Sequence, residues 1–223
     1  MPATDKQMII DRTKAFIEQK FRGEGSGHDW WHMYRVWQLA KHIAKSEAGS
    51  DLLVVELAAL LHDIADWKFT DGDDEAGPRE ARKWLEDQQV DESVIEKVEY
   101  IVRYISFKGG TNTHKMSTLE GKIVQDADRL DAIGAVGIAR TFAFGGAFNR
   151  AMYDPDQKPQ NFESFAEFKA SIKTGTTVNH FYEKLLLLKD GMHTKTGKEL
   201  ARHRHEFMKA YLSEFYDEWE GKL

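Results

Sequence analysis

The chain has 223 residues, 41% of them hydrophobic and 30% charged, with a formal net charge of −6. This is the composition of a soluble globular chain with one substantial core, and the acidic balance argues against non-specific binding to nucleic acid or to an anionic membrane. The absence of cysteine excludes disulfides, thiolate metal sites and cysteine nucleophiles, so any metal must take His, Asp or Glu, a set that suits Mn, Mg, Fe, Co or Zn.

The opening "MPATDKQMIIDRTKAF" lacks a basic region followed by an apolar one, and no apolar run approaches the ~20 residues of a membrane span. The expectation is a cytoplasmic chain without a membrane partner. Prolines stand only at positions 2, 78, 155 and 159, so long stretches run without a breaker, which favours helices. Residues 5–21 read as a first helix, with Met8, Ile9, Ala15, Phe16 and Ile17 near one stripe. The glycine-rich "RGEGSGHD", 22–29, is a loop whose Asp29 can cap the next helix. In "WWHMYRVWQLAKHIAKSEA", Met33, Val36, Trp37, Ala40, Ile43 and Ala44 share a helical face.

Residues 51–65 read as a third helix, capped by Ser50 or Asp51 and apolar almost all round, the mark of a central helix in a bundle. The acidic "DWKFTDGDDEAGP" is a loop, and Pro78 suits the first turn of the helix after it. "SVIEKVEYIVRYISF" is helical, "KGGTNTHKMS" a loop, and "TLEGKIVQDADRLDAIGAVGIARTFAF" helical with a break near Gly134. The segment 145–162 is long and irregular, either a lid or a plain connection. Two or three helices follow from Ser164, the longest over 198–218. No run alternates like a strand, so the expected fold class is all-α, one domain over 1–223 with helices at 164–223 packing on a core at 28–132.

Chemistry concentrates in "LLHDIAD". In a helix, residues three and four apart share a face; His62 and Asp66 are four apart and Asp63 and Asp66 three apart, so all three can edge the same cavity. Burying an unpaired carboxylate is costly, and a metal ion is one partner that relieves it. Further donors stand in "GHDWWHMYRV", with His28 in the loop and His32 on the helix, and in "KIVQDADRLDAIGA", with Asp126, Asp128 and Asp131. Asp128 and Asp131 share a face, and Asp126 points elsewhere. Taken singly, each has a plainer reading: a histidine near a helix start as a cap, Asp63 and Asp66 as helix-end carboxylates paired with Arg or Lys, and Asp131 paired with Arg129 or Arg35. Taken together, the pattern is much less common by chance.

That pattern resembles the H…HD…D motif of HD-domain metal-dependent phosphohydrolases, through His32, His62, Asp63 and Asp128. The blocks "HDWWHMYRVWQLAKHIA", "VVELAALLHDIADWKF", "KIVQDADRLDAIGAVGIARTF" and "FYEKLLLLKDGMHTKTGKELARHRHEFM" are similar to a bacterial YedJ/YpgQ-like subgroup. The resemblance implies an all-helical HD fold and one divalent metal (Mn, Mg, Co or Ni) held by those four residues. It also implies hydrolysis of a nucleotide phosphate bond, in this subgroup of a (deoxy)nucleoside triphosphate to monophosphate and pyrophosphate. His32, four residues before Val36, matches the first family histidine, which leaves His28 beside it or on the substrate side. Asp66 stands where some members carry a catalytic Glu, and so becomes the candidate base for the water.

Lys68 and Lys108, on loops, lead the phosphate-binding candidates, followed by Arg35 and Arg129, with Asp131 also near the substrate; each can equally be a surface charge or an ion-pair partner. Trp30, Trp31, Trp67 and Phe107 could stack on a base, though most such aromatics are core. Only His114 lies between Asp63 and Asp128, which argues for one metal and against di-iron or cyclic-dinucleotide enzymes of the same fold. The expected partner is a small nucleotide; no stable nucleic-acid partner is expected, and a homo-oligomer is left open. A nucleoside 5′-monophosphatase or other phosphomonoesterase is the second enzymatic reading, and a metal-dependent nucleotide-binding regulator the reading from another class.

Overall fold

The computed structural model describes residues 3–24, 27–65, 73–107 and 114–223, apart from the side chains of Ala3, Ile172 and Lys173. Among these residues the regular structure is helical and no strand occurs, as the sequence leads one to expect. In chain order the helices are α1 (Ala3–Lys20), α2 (Trp30–Ala44), α3 (Leu52–Leu61), α4 (Ala76–Asp87), α5 (Glu92–Tyr104), α6 (Leu119–Asp131), α7 (Gly134–Ala147), α8 (Phe165–Thr174), α9 (Asn179–Glu183) and α10 (Lys195–Trp219). A 3-10 helix, Leu185–Gly191, lies between α9 and α10. The chain divides into two compact units, 1–107 with 112–128, and 108–111 with 129–223.

In the first unit, α3 is the axis. It packs against α1, α2 and α5, and every residue from Leu53 to Leu61 is buried. Asp51 caps it by accepting from the Leu53 amide at 3.1 Å. Its one acid, Glu56, is buried because it accepts from the Trp37 indole at 2.7 Å and lies 3.8 Å from the Lys41 ammonium. The helix stops at Leu61, with His62 as its cap and 62–65 in turns. The expected helix over 51–65 therefore runs four residues too far at its C-terminal end. The apolar pattern continues into Ile64, buried to 1% exposure, because this turn also faces the core; burial alone does not distinguish it from another helical turn.

Two contacts fix what surrounds this turn. The Glu120 carboxylate on α6 accepts from the Asp51 amide at 2.9 Å, so α3 and α6 start side by side. Gly77, in the first turn of α4, comes so near that a Cβ there would lie 3.3 Å from the Ala65 carbonyl. Pro78 does sit in that first turn.

In the second unit, α10 packs on α7 and on the 3-10 helix. The expected break falls at Gly134, which opens α7 at φ +78°; a Cβ there would also meet Arg204 at 2.9 Å. The irregular segment is shorter than 145–162, since α7 continues to Ala147. It is tied along its length. Thr177 and Val178 amides donate to the carbonyls of Ala151 and Met152 at 2.9 and 3.0 Å. Arg150 donates to the carbonyls of Gly175 and Thr176, each at 2.9 Å, and the buried Glu183 accepts from the Gln160 amide at 3.1 Å. These bonds make it a fastened connection.

Candidate metal centre

Three elements of the first unit bring His32, His62, Asp63 and Asp128 side by side, with His32 common to two groups of donors. Asp29 caps α2, its carboxylate accepting from the His32 amide at 2.9 Å. That sets His32 in the first turn with its imidazole directed inward, at 0% exposure. The end of α3 delivers His62, 4% exposed, and Asp63 follows in the turn. Asp128 comes from α6, whose Ile123, Val124 and Ala127 are fully buried and anchor that helix. Gln125 adds a bond from its amide to the Ile105 carbonyl at 3.0 Å.

The donor atoms are close together. His32 Nε2 lies 3.1 Å from His62 Nε2, 3.4 Å from Asp63 Oδ2 and 3.6 Å from Asp128 Oδ1. His62 Nε2 lies 3.8 Å from Asp63 Oδ2 and 3.7 Å from Asp128 Oδ1. Ligands about 2.1 Å from a common ion stand about 3 Å apart at octahedral angles and about 3.4 Å apart at tetrahedral ones. The observed spacings fit such a set without selecting the ion. The tautomer fits as well. His62 Nδ1 donates to the Ala59 carbonyl at 2.8 Å, which leaves the Nε2 lone pair of the neutral ring facing the other donors.

The electrostatics agree. Burial disfavours a charged His62, yet the Asp63 and Asp128 carboxylates outweigh it and hold the imidazole up to about 9. Burial pushes Asp63 up, but the His62, His28 and His32 rings outweigh that and hold it well below the usual carboxylate range. Asp128 is also pushed up by burial and brought down by His62 and His32, to about 2. A place that stabilises a proton on His62 through two anionic neighbours suits a divalent cation for the same reason.

The remaining candidates are more scattered. His28 joins the cluster, its Nδ1 3.0 Å from Asp63 Oδ2. Arg35 lies on α2 one turn past His32 and is half-buried. Other candidates have separate partners: Asp131, at the end of α6 and 1% exposed, faces the Arg140 guanidinium at 3.1 Å, and Arg129 donates to the Gly191 carbonyl. Arg140 lies past the Gly134 break, so no helical spacing points to it. Asp126 is fully buried. Asp66, Trp67, Lys68 and Lys108 lie outside the described residues. His114 stacks on Tyr104 at 3.8 Å between ring centroids and meets the Tyr100 hydroxyl at 2.7 Å. Trp31 is exposed and contacts Tyr34 edge-on. Asp29 caps α2 as the sequence suggests, and the amide it accepts from is that of His32 itself.

Comparison with known proteins gives the family. The HD domain matches residues 30–133, a stretch that contains His32, His62, Asp63 and Asp128 and begins after His28. Over 216 residues the chain is 37% identical to the uncharacterized protein YpgQ of Bacillus subtilis, covering 95% of this chain and 94% of YpgQ. The chain belongs to the HD-domain family. An HD-superfamily hydrolase from Bacillus thuringiensis is 40% identical, with a TM-score of 0.72 over 96% of this chain and 98% of that one. A Lactobacillus plantarum protein is 35% identical, with a TM-score of 0.83 over 99% of both chains. YpgQ crystallised in complex with ADP gives a TM-score of 0.74 at 35% identity, over 96% of both chains. As an HD-family member with this donor set, the chain is a metal-dependent phosphohydrolase.

Proposed function

We propose that the chain hydrolyses nucleoside or deoxynucleoside triphosphates to the monophosphate and pyrophosphate. The observation that carries this reading is the grouping of the His32, His62 and Asp128 donor atoms within 4.8 Å of one another, with Asp63 Oδ2 3.4 Å from His32 Nε2. A relative crystallised with ADP supports a nucleotide as the ligand. The four residues would hold one divalent ion, with manganese as the ion to test first. When bound, such an ion supplies a Lewis acid that acidifies water and offsets phosphate charge.

The chain's own residues do the rest. Asp66, three residues past Asp63, takes the proton of the attacking water. Arg35, Lys68, Lys108 and Arg129 counter the charge of the phosphate oxygens. The water oxygen bonds to the α-phosphorus. The bond from that phosphorus to the α–β bridging oxygen breaks, and pyrophosphate leaves with the electron pair. Asp131, engaged by Arg140, supports the end of α6 in this scheme.

The test uses metal-stripped protein with Mn(II) restored, a panel of nucleoside tri- and monophosphates, and anion-exchange separation of products. Monophosphate with pyrophosphate, from triphosphates only, is the expected result. Inorganic phosphate from monophosphates would point to a phosphomonoesterase, and nucleotide binding without turnover to a regulator.

A further inference from the structure

Asp63 has a structural weakness as a ligand. It lies beyond the end of α3, in a turn, so no helical hydrogen-bond ladder fixes its backbone as one fixes His32 or Asp128. Its carboxylate needs a brace from elsewhere, and His28 is placed to provide it. The His28 ring lies on the segment before α2, with Nδ1 3.0 Å from Asp63 Oδ2. Both side chains are largely shielded, at 18% and 14% exposure. A carboxylate only accepts hydrogen bonds, so Nδ1 carries the proton and donates.

His28, His32 and Asp63 also form a second group of donors within 4.8 Å of one another, beside His32, His62 and Asp128. The two groups share His32 Nε2, which has a single lone pair and can serve only one ion at a time. His28 Nδ1, committed as a donor to Asp63, has no lone pair to give. Asp63 Oδ2 has two lone pairs. One accepts the hydrogen bond from His28 Nδ1, and the other is available toward His32 Nε2 and His62 Nε2, at 3.4 and 3.8 Å. Gly27, at φ +88°, provides the turn that brings His28 against Asp63, and Asp29 on its other side caps the helix that carries His32. Three consecutive residues thus help set two ligands.

We infer that His28 is a positioning residue: it holds Asp63 Oδ2 toward the other donors and thereby sets the affinity of the centre for its ion. The inference rests on the metal-binding reading of the four-residue cluster.

The experiment compares wild type, His28→Ala and His28→Asn, the last because its amide keeps an N–H near the position of Nδ1. Each metal-stripped protein is titrated with Mn(II) by calorimetry, and the bound ion is examined by pulsed electron paramagnetic resonance for coupled histidine nitrogens. His28→Ala should bind Mn(II) about 10–100-fold more weakly, the usual effect of losing a residue that orients a ligand. His28→Asn should recover most of that loss, and all three should show the same two nitrogens, from His32 and His62. Unchanged affinity in His28→Ala overturns the inference. So does a third nitrogen in wild type that vanishes in both variants, since His28 would then be a ligand. Wild type that binds none of Mn(II), Mg(II), Co(II) and Ni(II) overturns the metal reading itself, and the inference with it.

Discussion

Asp63 and His62 concentrate the chemistry of the site at single residues. Asp63→Ala should reduce the metal content of the purified protein to background by elemental mass spectrometry; retention of one ion per chain would remove Asp63 from the ligand set. His62 governs the pH response. In metal-stripped protein its folded value, about 9, stands above its ordinary 6.5. Its contribution to stability is therefore fully present below about pH 6.5 and lost as the pH rises through about 9. The melting temperature of the stripped protein should fall over that window, and the fall should be smaller in His62→Gln. Mn(II) affinity should move the other way, rising by about tenfold per pH unit up to about 9, because the ion displaces the His62 proton; a flat calorimetric profile would contradict this. The proximity of His32, His62, Asp63 and Asp128 was foreshadowed in the sequence by the motif they match. The Arg140 partner of Asp131 was not, because a nine-residue separation across a helix break has meaning only in three dimensions.

At the scale of elements, α3 links packing to chemistry. Its buried residues, from Leu53 to Leu61, end at the His-Asp pair, so a defect in its packing should reach the site. Leu60, fully buried, should cost about 2–5 kcal/mol as Leu60→Ala in urea denaturation and should weaken Mn(II) binding as well. Gly134→Ala tests the start of α7: strain at φ +78° and the close approach of Arg204 should together cost about 1–3 kcal/mol. Helix periodicity revealed α2, α3, α5 and α6, since each buries a continuous stripe. It carried α3 past its true end because Ile64 is as buried as the helix before it and neither Gly nor Pro marks the stop.

At the scale of the whole molecule, the division into two units falls within α6, after Asp128. Leu119–Asp128 of α6 thus belong to the first unit and Arg129–Asp131 to the second. The single domain expected from the sequence is retained here as a prediction: calorimetry should show one cooperative transition, and two separated transitions would count against it. The function rests on where water attacks. The most direct measurement is hydrolysis of a nucleoside triphosphate by the Mn(II)-loaded protein in ¹⁸O-labelled water, read by mass spectrometry of the products. One ¹⁸O on the monophosphate and none in pyrophosphate is the predicted result. Label in pyrophosphate, or release of labelled inorganic phosphate in its place, would contradict it.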